Sequence, residues 1–376
     1  RTYAWPDDVQ LSVHSVAANR MTNAGLHLAT PLDEQTPQAS RREFRCRVIN
    51  DRQSKSDQFE IGWADDDGRL SDGETVSVYV PAGESRVVRV PRSERQYRAN
   101  RLVLAGDDHA FDNLLHVVPI RQEEVPLVYI GDDAPDDPAG LQYYLQRAFP
   151  ETTDRKVGLI AMPPETFSLT GDLADVRLVV VGDAVPPQRV GPLRAFLVGG
   201  GTILFVLKDA AAGATLAGLM GRETLAAEES ETGNYAMLGE IAFSDPLFAA
   251  FADPRFNDFT KIRFWNHRSV DLANVPRLRV LARFDDGDPA LFEQTHDQGR
   301  LLVLTAGWHP ADSQLARSSK FVPLLSAVLE GSAAWQPVPP QYDVADPVML
   351  PSRTADGEIR VVTPQGAEWK VASGAD

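Results

Sequence analysis

The sequence predicts an α/β protein joined to an all-β one: an N-terminal β-sandwich, a central doubly wound α/β domain and a short C-terminal β segment. Two changes of pattern carry this reading. Up to about residue 119, apolar and polar residues alternate in short runs separated by turn signals such as "DDDG", "PAG" and "AGDD", the pattern of half-buried strands. Beyond it, continuous apolar runs ending in Gly or Asp alternate with helical spacings, the pattern of parallel strands covered on both faces.

In the first region "VQLSVHSV" (9–16), "EFRCRVIN" (43–50), "ETVSVYVPAG" (74–83), "SRVVRVP" (85–91), "ANRLVLAGDD" (99–108) and "NLLHVVP" (113–119) read as strands. Val76, Val78 and Val80 share one face. Short strands at this spacing suggest a sandwich of immunoglobulin-like type, although no Cys…Trp…Cys pattern is present. "IRQEEVP" is then a charged connector. "PLVYIG" (126–131), "KVGLIAM" (156–162), "VRLVVVGD" (176–183) and "TILFVL" (202–207) read as buried strands of a doubly wound sheet. "DPAGLQYYLQRAF" and "RVGPLRAFLVGGG" read as helices, the second with a glycine stop. "YAMLGEIAF", "KIRFW", "RVLARFDDG", "PALFEQTH" and "GRLLVLTAG" read as further strands, some antiparallel. "SSKFVPLLSAVLEG" (318–331) reads as an amphipathic helix with Phe321, Leu324, Leu325 and Val328 on one face. After "QPVPPQ", "DPVMLP", "GEIRVVTPQG" and "AEWKVA" suggest a partial β module or tail. The expected domains are therefore 1–119, 120–335 and 336–376.

The chain has 376 residues and a formal net charge of −16, with 53 acidic against 37 basic residues. That balance argues against nucleic acid as a partner, because phosphate binding needs clustered cations. The densest basic run, residues 84–101, alternates arginine with apolar residues and reads as a strand's solvated face. No stretch of about 18 apolar residues occurs, so no membrane-spanning helix is expected within the chain. The chain opens at Arg1 rather than Met and stops at "KVASGAD", so it is expected to be a piece of a longer protein. The single cysteine, Cys46, sits between Arg45 and Arg47 and is expected to point into a sheet core as a small hydrophobe.

Candidate chemistry gathers where the parallel strands end, since open α/β sheets bind ligands beyond their carboxyl ends. Asp132, Asp133, Asp183, Lys208 and Asp209 fall there, with Asp136 and Asp137 close by. The acidic run could hold a hard cation, but it lacks the spacing of a calcium loop; a solvated turn with helix-capping aspartates is the plainer reading, and no metal is assigned. "GWHPADSQ" (307–314) places His309 as a possible base with Asp312 near enough in sequence to orient it. The nearest hydroxyls, Ser313 and Ser318, sit in no nucleophile elbow, and a loop-capping histidine is the plainer alternative. "GGG" (199–201) precedes a strand rather than a helix, so a phosphate cradle is not expected.

These residues resemble the class I glutamine amidotransferase-like, flavodoxin-like fold. "RLVVVGD" resembles the strand before that family's oxyanion region, "GGGTILFVL" its G-K-P-I-L-G-I-C, and "GWHP" its F-H-P-E. The resemblance places Leu207 where the family has its nucleophilic cysteine, and leucine cannot attack a carbonyl. Asp312 lies one residue beyond the family's glutamate position. Nearly the whole chain, through "DDHAFDNLLHVV", "VPLVYIGD…GLQYYLQRAF" and "ARFDDGDPALFEQTHDQGRLLVLTAGWHPADSQLARSSKFVPLLSAVLE", also resembles the extracytoplasmic part of bacterial Bat-type, aerotolerance regulator-like membrane proteins. Those carry membrane helices and a von Willebrand factor A domain elsewhere in the chain. This resemblance implies a periplasmic or cell-surface segment, reaching the membrane only through other parts of its parent.

The expected function is a non-catalytic interaction or scaffolding segment, not an enzyme. It would have no cofactor and no nucleic-acid partner, and would use protein partners. Asp132, Asp133, Asp183, Lys208, His309 and Asp312 form its candidate ligand-binding edge, and no catalytic residue is assigned. The alternative is a hydrolase that uses His309 at the same strand ends.

Overall fold

Alternating side chains force the first strands into sheets with one dry face. The computed structural model describes residues 22–29, 43–64, 70, 75–91, 101–117, 122–152, 155–169, 176–332, 358–363 and 367–372, with a few isolated positions besides. The chain divides into two compact units, Arg1–Ile120 together with Val338–Asp376, and Arg121–Pro337.

In the first unit, β1 (Ala24–Leu28), β2 (Glu43–Asn50), β3 (Gln58–Trp63), β4 (Val76–Tyr79), β5 (Ser85–Pro91), β6 (Arg101–Ala105) and β7 (Leu114–His116) form two antiparallel sheets. Their orders are β1-β2-β5 and β4-β3-β6-β7. Leu26, Cys46, Val48, Val88 and Val90 from one sheet meet Phe59, Ile61, Trp63, Leu102 and Leu104 from the other in a single core. The Trp63 indole N–H donates to the Pro91 carbonyl at 2.8 Å and so joins the two sheets. Buried Asn50 donates to the Val80 and Ser56 carbonyls, both at 2.8 Å. Arg86 and Arg89 face solvent, as the alternation of the basic run requires. The expected strand "VQLSVHSV" and the piece "DPVMLP" lie almost wholly outside the described residues. β1 and β3 were not anticipated: β1 is short and carries a glycine, and β3 follows a polar loop with only three alternating apolar positions.

The second unit is built on an eight-stranded mixed sheet. β8 (Glu123–Ile130), β9 (Arg155–Met162), β10 (Leu178–Val181), β11 (Thr202–Val206) and β17 (Gly299–Leu304) are parallel, in the order β9-β8-β10-β11-β17. β13 (Leu238–Ile241), β15 (Leu278–Phe284) and β16 (Pro289–His296) extend the sheet antiparallel beyond β17. A separate pair joins β12 (Ala227–Glu229) to β14 (Arg268–Val270). Because both faces of the parallel strands are covered, β10 and β11 are buried at every position. α1 (Leu141–Ala148) and α4 (Phe321–Gly331) pack on one face, and α2 (Pro187–Val198) and α3 (Gly213–Leu219) on the other.

Some expectations change. "KIRFW" is not a strand; only Phe264 makes bridges, to Ala236 and Ser313. Its apolar residues Ile262 and Phe264 are buried against the α1–α4 face, and that packing produced the strand-like pattern. α3 was unanticipated because "GATLAGL" carries two glycines that weaken any helical reading. α4 begins at Phe321 rather than 318, Ser318–Lys320 being used in a turn that the Ser318 hydroxyl closes onto the Leu315 carbonyl. No helix among the described residues is long and apolar enough to cross a membrane. In the first-unit sequence after 338, β18 (Glu358–Val362) and β19 (Glu368–Ala372) form an antiparallel hairpin.

Cys46 is fully buried, and burial pushes its thiol up to about 12. A thiol reagent at pH 8 should therefore leave the native protein unlabelled and label it stoichiometrically in denaturant. Rapid native labelling would show that the sandwich core opens readily.

Candidate functional site at the strand ends

The parallel strands run β9, β8, β10, β11 and β17 across the sheet, so the connections leave in opposite directions from β8 and β10. In open α/β sheets such a reversal marks where ligands bind, at the carboxyl ends of the two strands. Asp132 and Asp133 follow β8, Asp183 follows β10, and Lys208 follows β11. The fold thus brings Asp132, Asp133, Asp183 and Lys208 together at one edge.

Lys208 is held between two carboxylates. Its ammonium lies 3.2 Å from Asp133 Oδ1 and 2.9 Å from Asp183 Oδ1. Asp133 does more than pair with it. Its Oδ2 accepts the Tyr129 hydroxyl at 2.5 Å and the N–H groups of Leu141 and Gln142 at 2.7 and 3.3 Å. It therefore caps α1 from a loop seven residues upstream of Gly140, which has no capping side chain of its own. Asp183 Oδ2 accepts the Asp132 N–H at 3.0 Å, joining the ends of β8 and β10. Tyr129 reaches Asp133 by passing over the backbone of Gly182, where a Cβ would overlap its ring.

The charges settle accordingly. Burial would raise the Asp133 carboxyl, but the Tyr129 hydrogen bond, the Lys208 charge and the Leu141 N–H outweigh it and hold it below its ordinary range. Burial would lower Lys208, but the hydrogen bond and charge of Asp183, followed by those of Asp133, raise it. Burial and the Asp133 charge push the Tyr129 phenol far up, so it stays a donor. Asp132 is exposed; desolvation, then Glu165 and Asp183, raise its carboxyl.

Leu207, at the nucleophile position implied by the family resemblance, is fully buried in the core on the α2–α3 face. Its N–H donates to the Leu304 carbonyl at 2.8 Å.

The 307–315 loop forms the adjoining wall. Trp308 is buried and donates from Nε1 to the Leu141 carbonyl at 3.0 Å, fastening the loop to the start of α1. The chain then folds back, with Asp312 and Ser313 N–H groups donating to the His309 carbonyl at 3.0 Å each. Asp312 was expected to orient His309, but the shortest approach, Nε2 to Oδ1, is 3.9 Å, too long for a hydrogen bond. Asp312 is committed elsewhere. It accepts the Gly307 N–H at 2.7 Å and pairs with Arg268, which also binds Glu229 at 2.9 Å. The His309 ring lies so close over Gly307 that a Cβ there would overlap it, and would stand 2.8 Å from Asp312 Oδ2. Burial lowers the His309 pKa, with Asp312 opposing and Lys208 assisting, and its Nδ1 is buried without a partner. The candidate hydroxyls are engaged: Ser313 donates to the Gly307 carbonyl at 2.8 Å and Ser318 to that of Leu315 at 2.7 Å.

The remaining aspartates act locally. Asp209 Oδ1 accepts the Ala211 N–H at 2.8 Å, and Asp137 Oδ1 that of Ala139 at 2.9 Å. Both bonds are Asx turns. Sequence reasoning missed Tyr129, which lies inside a run read as a buried strand, and Arg268 and Glu229, which lie in stretches to which no element was assigned. It also missed a cluster away from this edge, formed by His267, Asp286 and Asp288.

Beside the loop lies a cleft of about 640 Å³, with Pro310, Ser313, Gln314 and Arg317 on one wall and Phe256 and Lys261 on another.

No family model matches the chain, and no curated protein matches it. Among solved structures it is similar to a cytoplasmic protein of Salmonella typhimurium LT2 (STM1381), at 15% identity and a TM-score of 0.41 over 55% of this chain and 98% of that one. A ThuA-like protein from Parabacteroides merdae is similar at 14% identity and a TM-score of 0.38, over 58% and 94%. A β-galactosidase from Bacillus circulans is similar at 13% identity and a TM-score of 0.36, over 56% and 31%.

Replacing Asp133 with Ala should cost about 2 kcal/mol at pH 7, through lost capping and charge-assisted hydrogen bonds. Because the folded-state pKa is depressed, the contribution of its charge is complete above the unfolded value and is lost as pH falls through the folded one. Denaturant titrations should show the variant's deficit shrinking below about pH 4. A deficit that is constant down to pH 2 would contradict this.

Proposed function

We propose that this chain is a non-catalytic recognition segment of a membrane-anchored bacterial protein, and that its α/β unit binds an acidic protein segment in the cleft beside the 307–315 loop. Charge is the observation that supports this reading. In a chain of net charge −16, that cleft is lined by Arg255, Lys261, Arg317 and Lys320, with Asp258 as its one acidic residue. The Lys261–Asp258 pair is largely exposed, and such pairs are worth about 0–1 kcal/mol, so a ligand carboxylate can exchange with it. Exposed Phe256 adds an apolar contact.

The strand-end edge serves this reading as a frame. Asp133 and Asp183 neutralise Lys208, and the position of the amidotransferase nucleophile is a buried leucine. A ligand at that edge would have to displace half-buried ion pairs, whereas the pairs it would exchange with in the cleft, Lys261–Asp258 and Arg255–Asp253, are largely exposed. The periplasmic or cell-surface location and the von Willebrand factor A context follow from the sequence resemblance. We read the strand orders β1-β2-β5 and β4-β3-β6-β7 as those of an immunoglobulin-like spacer, and 336–376 as a partial β module or tail.

A hydrolase reading is favoured by one observation, the buried and unpartnered Nδ1 of His309 on a ring kept neutral by burial. It lacks a paired nucleophile, since Ser313 and Ser318 both donate to backbone carbonyls.

Titration calorimetry with an Asp/Glu-rich peptide tests the proposal. Binding should weaken as salt rises and fall at least tenfold in the Lys261→Glu/Arg317→Glu variant, both residues being exposed. Binding that ignores these changes would contradict it. Hydrolysis of ester or amide substrates that His309→Ala abolishes would favour the second reading.

A further inference from the structure

Away from the strand ends, the turn between β15 and β16 ("FDDGDP") lies beside the residues entering β14. There the fully buried His267 presents Nε2 to two carboxylates, at 3.0 Å from Asp286 Oδ2 and 3.2 Å from Asp288 Oδ2. One ligand atom from each residue lies within 4.8 Å of the other two. The imidazole is held by packing on Phe284, ring centroids 4.1 Å apart. Asp288 is oriented by the hydroxyls of Ser269, 3.0 Å from Oδ1, and Ser230, 2.6 Å from Oδ2. Asp286 Oδ1 accepts the Asp288 N–H at 3.0 Å, which turns its other oxygen toward the histidine.

Two further facts set this apart from an ordinary acidic turn. Neither Asp286 nor Asp288 has a Lys or Arg partner among the described residues. The fully buried His267 ring also directs its polar contacts through Nε2 at the two carboxylates, while its Nδ1 is buried without the outer-shell acceptor that usually orients a ligating imidazole. Ligands bound at about 2.0–2.2 Å to one ion stand roughly 2.8–3.1 Å apart at octahedral angles and roughly 3.3–3.6 Å apart at tetrahedral ones. The histidine–carboxylate separations of 3.0 and 3.2 Å, which are hydrogen-bond distances without the ion, need shifts of only a few tenths of an ångström to meet either.

We propose that His267, Asp286 and Asp288 bind a divalent transition-metal ion, with zinc the best match to one imidazole and two carboxylates. The ion would balance the two carboxylates and clip the β15–β16 turn to β14. Asp286 and Asp288 are 40% and 27% exposed, which gives the ion its route in and leaves room for water as a further ligand. This is independent of the acidic-segment reading and departs from the sequence-based expectation of no metal.

The test is calorimetric titration of chelator-treated protein with zinc chloride, with thermal unfolding measured alongside. One equivalent per chain should bind, and the Tm should rise with zinc concentration. Asp286→Asn, at an exposed turn position, and Asp288→Asn should each weaken binding at least tenfold. Cobalt substitution should give visible d–d absorption that both variants lose. If His267→Ala fails to fold, the two aspartate variants decide. No saturable zinc or cobalt binding up to about 1 mM, or binding unchanged in both aspartate variants, would overturn the proposal.

Discussion

The ammonium of Lys208, held between Asp133 and Asp183, ties together the ends of β8, β10 and β11. These strands end side by side, and each would otherwise deliver a charged residue to a half-buried edge. Removing one charge from such a set strands the others, which costs more than an intact pair contributes. Asp133 carries the heaviest share, because the same carboxylate caps α1 and accepts the Tyr129 hydroxyl. The start of α1 in turn anchors Trp308. The strand ends, the first helix and the 307–315 loop are thus held by one connected set of polar contacts.

That connectedness bears on function. An active site at the carboxyl ends of an α/β sheet needs groups with spare bonding capacity. Here Lys208 and Asp133 are committed to each other, Asp312 to Arg268 and the Gly307 N–H, and Leu207 to the core. The 307–315 loop has two sides. Gly307 and Asp312 close onto the polar network, while Pro310, Ser313 and Gln314 line the cationic cleft. The loop that contributes catalytic groups in the resembled family is, in our reading, a wall for binding.

The parallel strands were legible because burial on both faces leaves uninterrupted apolar runs, as in "RLVVVGD" and "TILFVL". The gathering of Asp132, Asp133, Asp183 and Lys208 was legible because the topology sends all strand ends to one edge. What each would do there was not. That Asp133 caps α1 depends on how the "DDAPDDPAG" loop folds back, and that Asp312 serves Arg268 rather than His309 depends on β14 passing beneath the loop. β14 itself was hidden, because "KIRFW" offered a stronger strand pattern while its buried residues pack without one. His267 and Asp288 stand 21 residues apart, and only the pairing of the β15–β16 hairpin beside β14 joins them. No local spacing encodes such a contact.

The most direct measurement of whether the strand-end edge is a closed structural network is a double-mutant cycle between Asp133 and Lys208, using Asp133→Asn and Lys208→Met and followed by denaturant unfolding at pH 7. The network predicts a coupling energy of about 1–3 kcal/mol that fades as the solution is acidified through the carboxylate range. A coupling near zero at pH 7 would mean that Lys208 is not held by Asp133, and the edge would again be open to a ligand or a reaction.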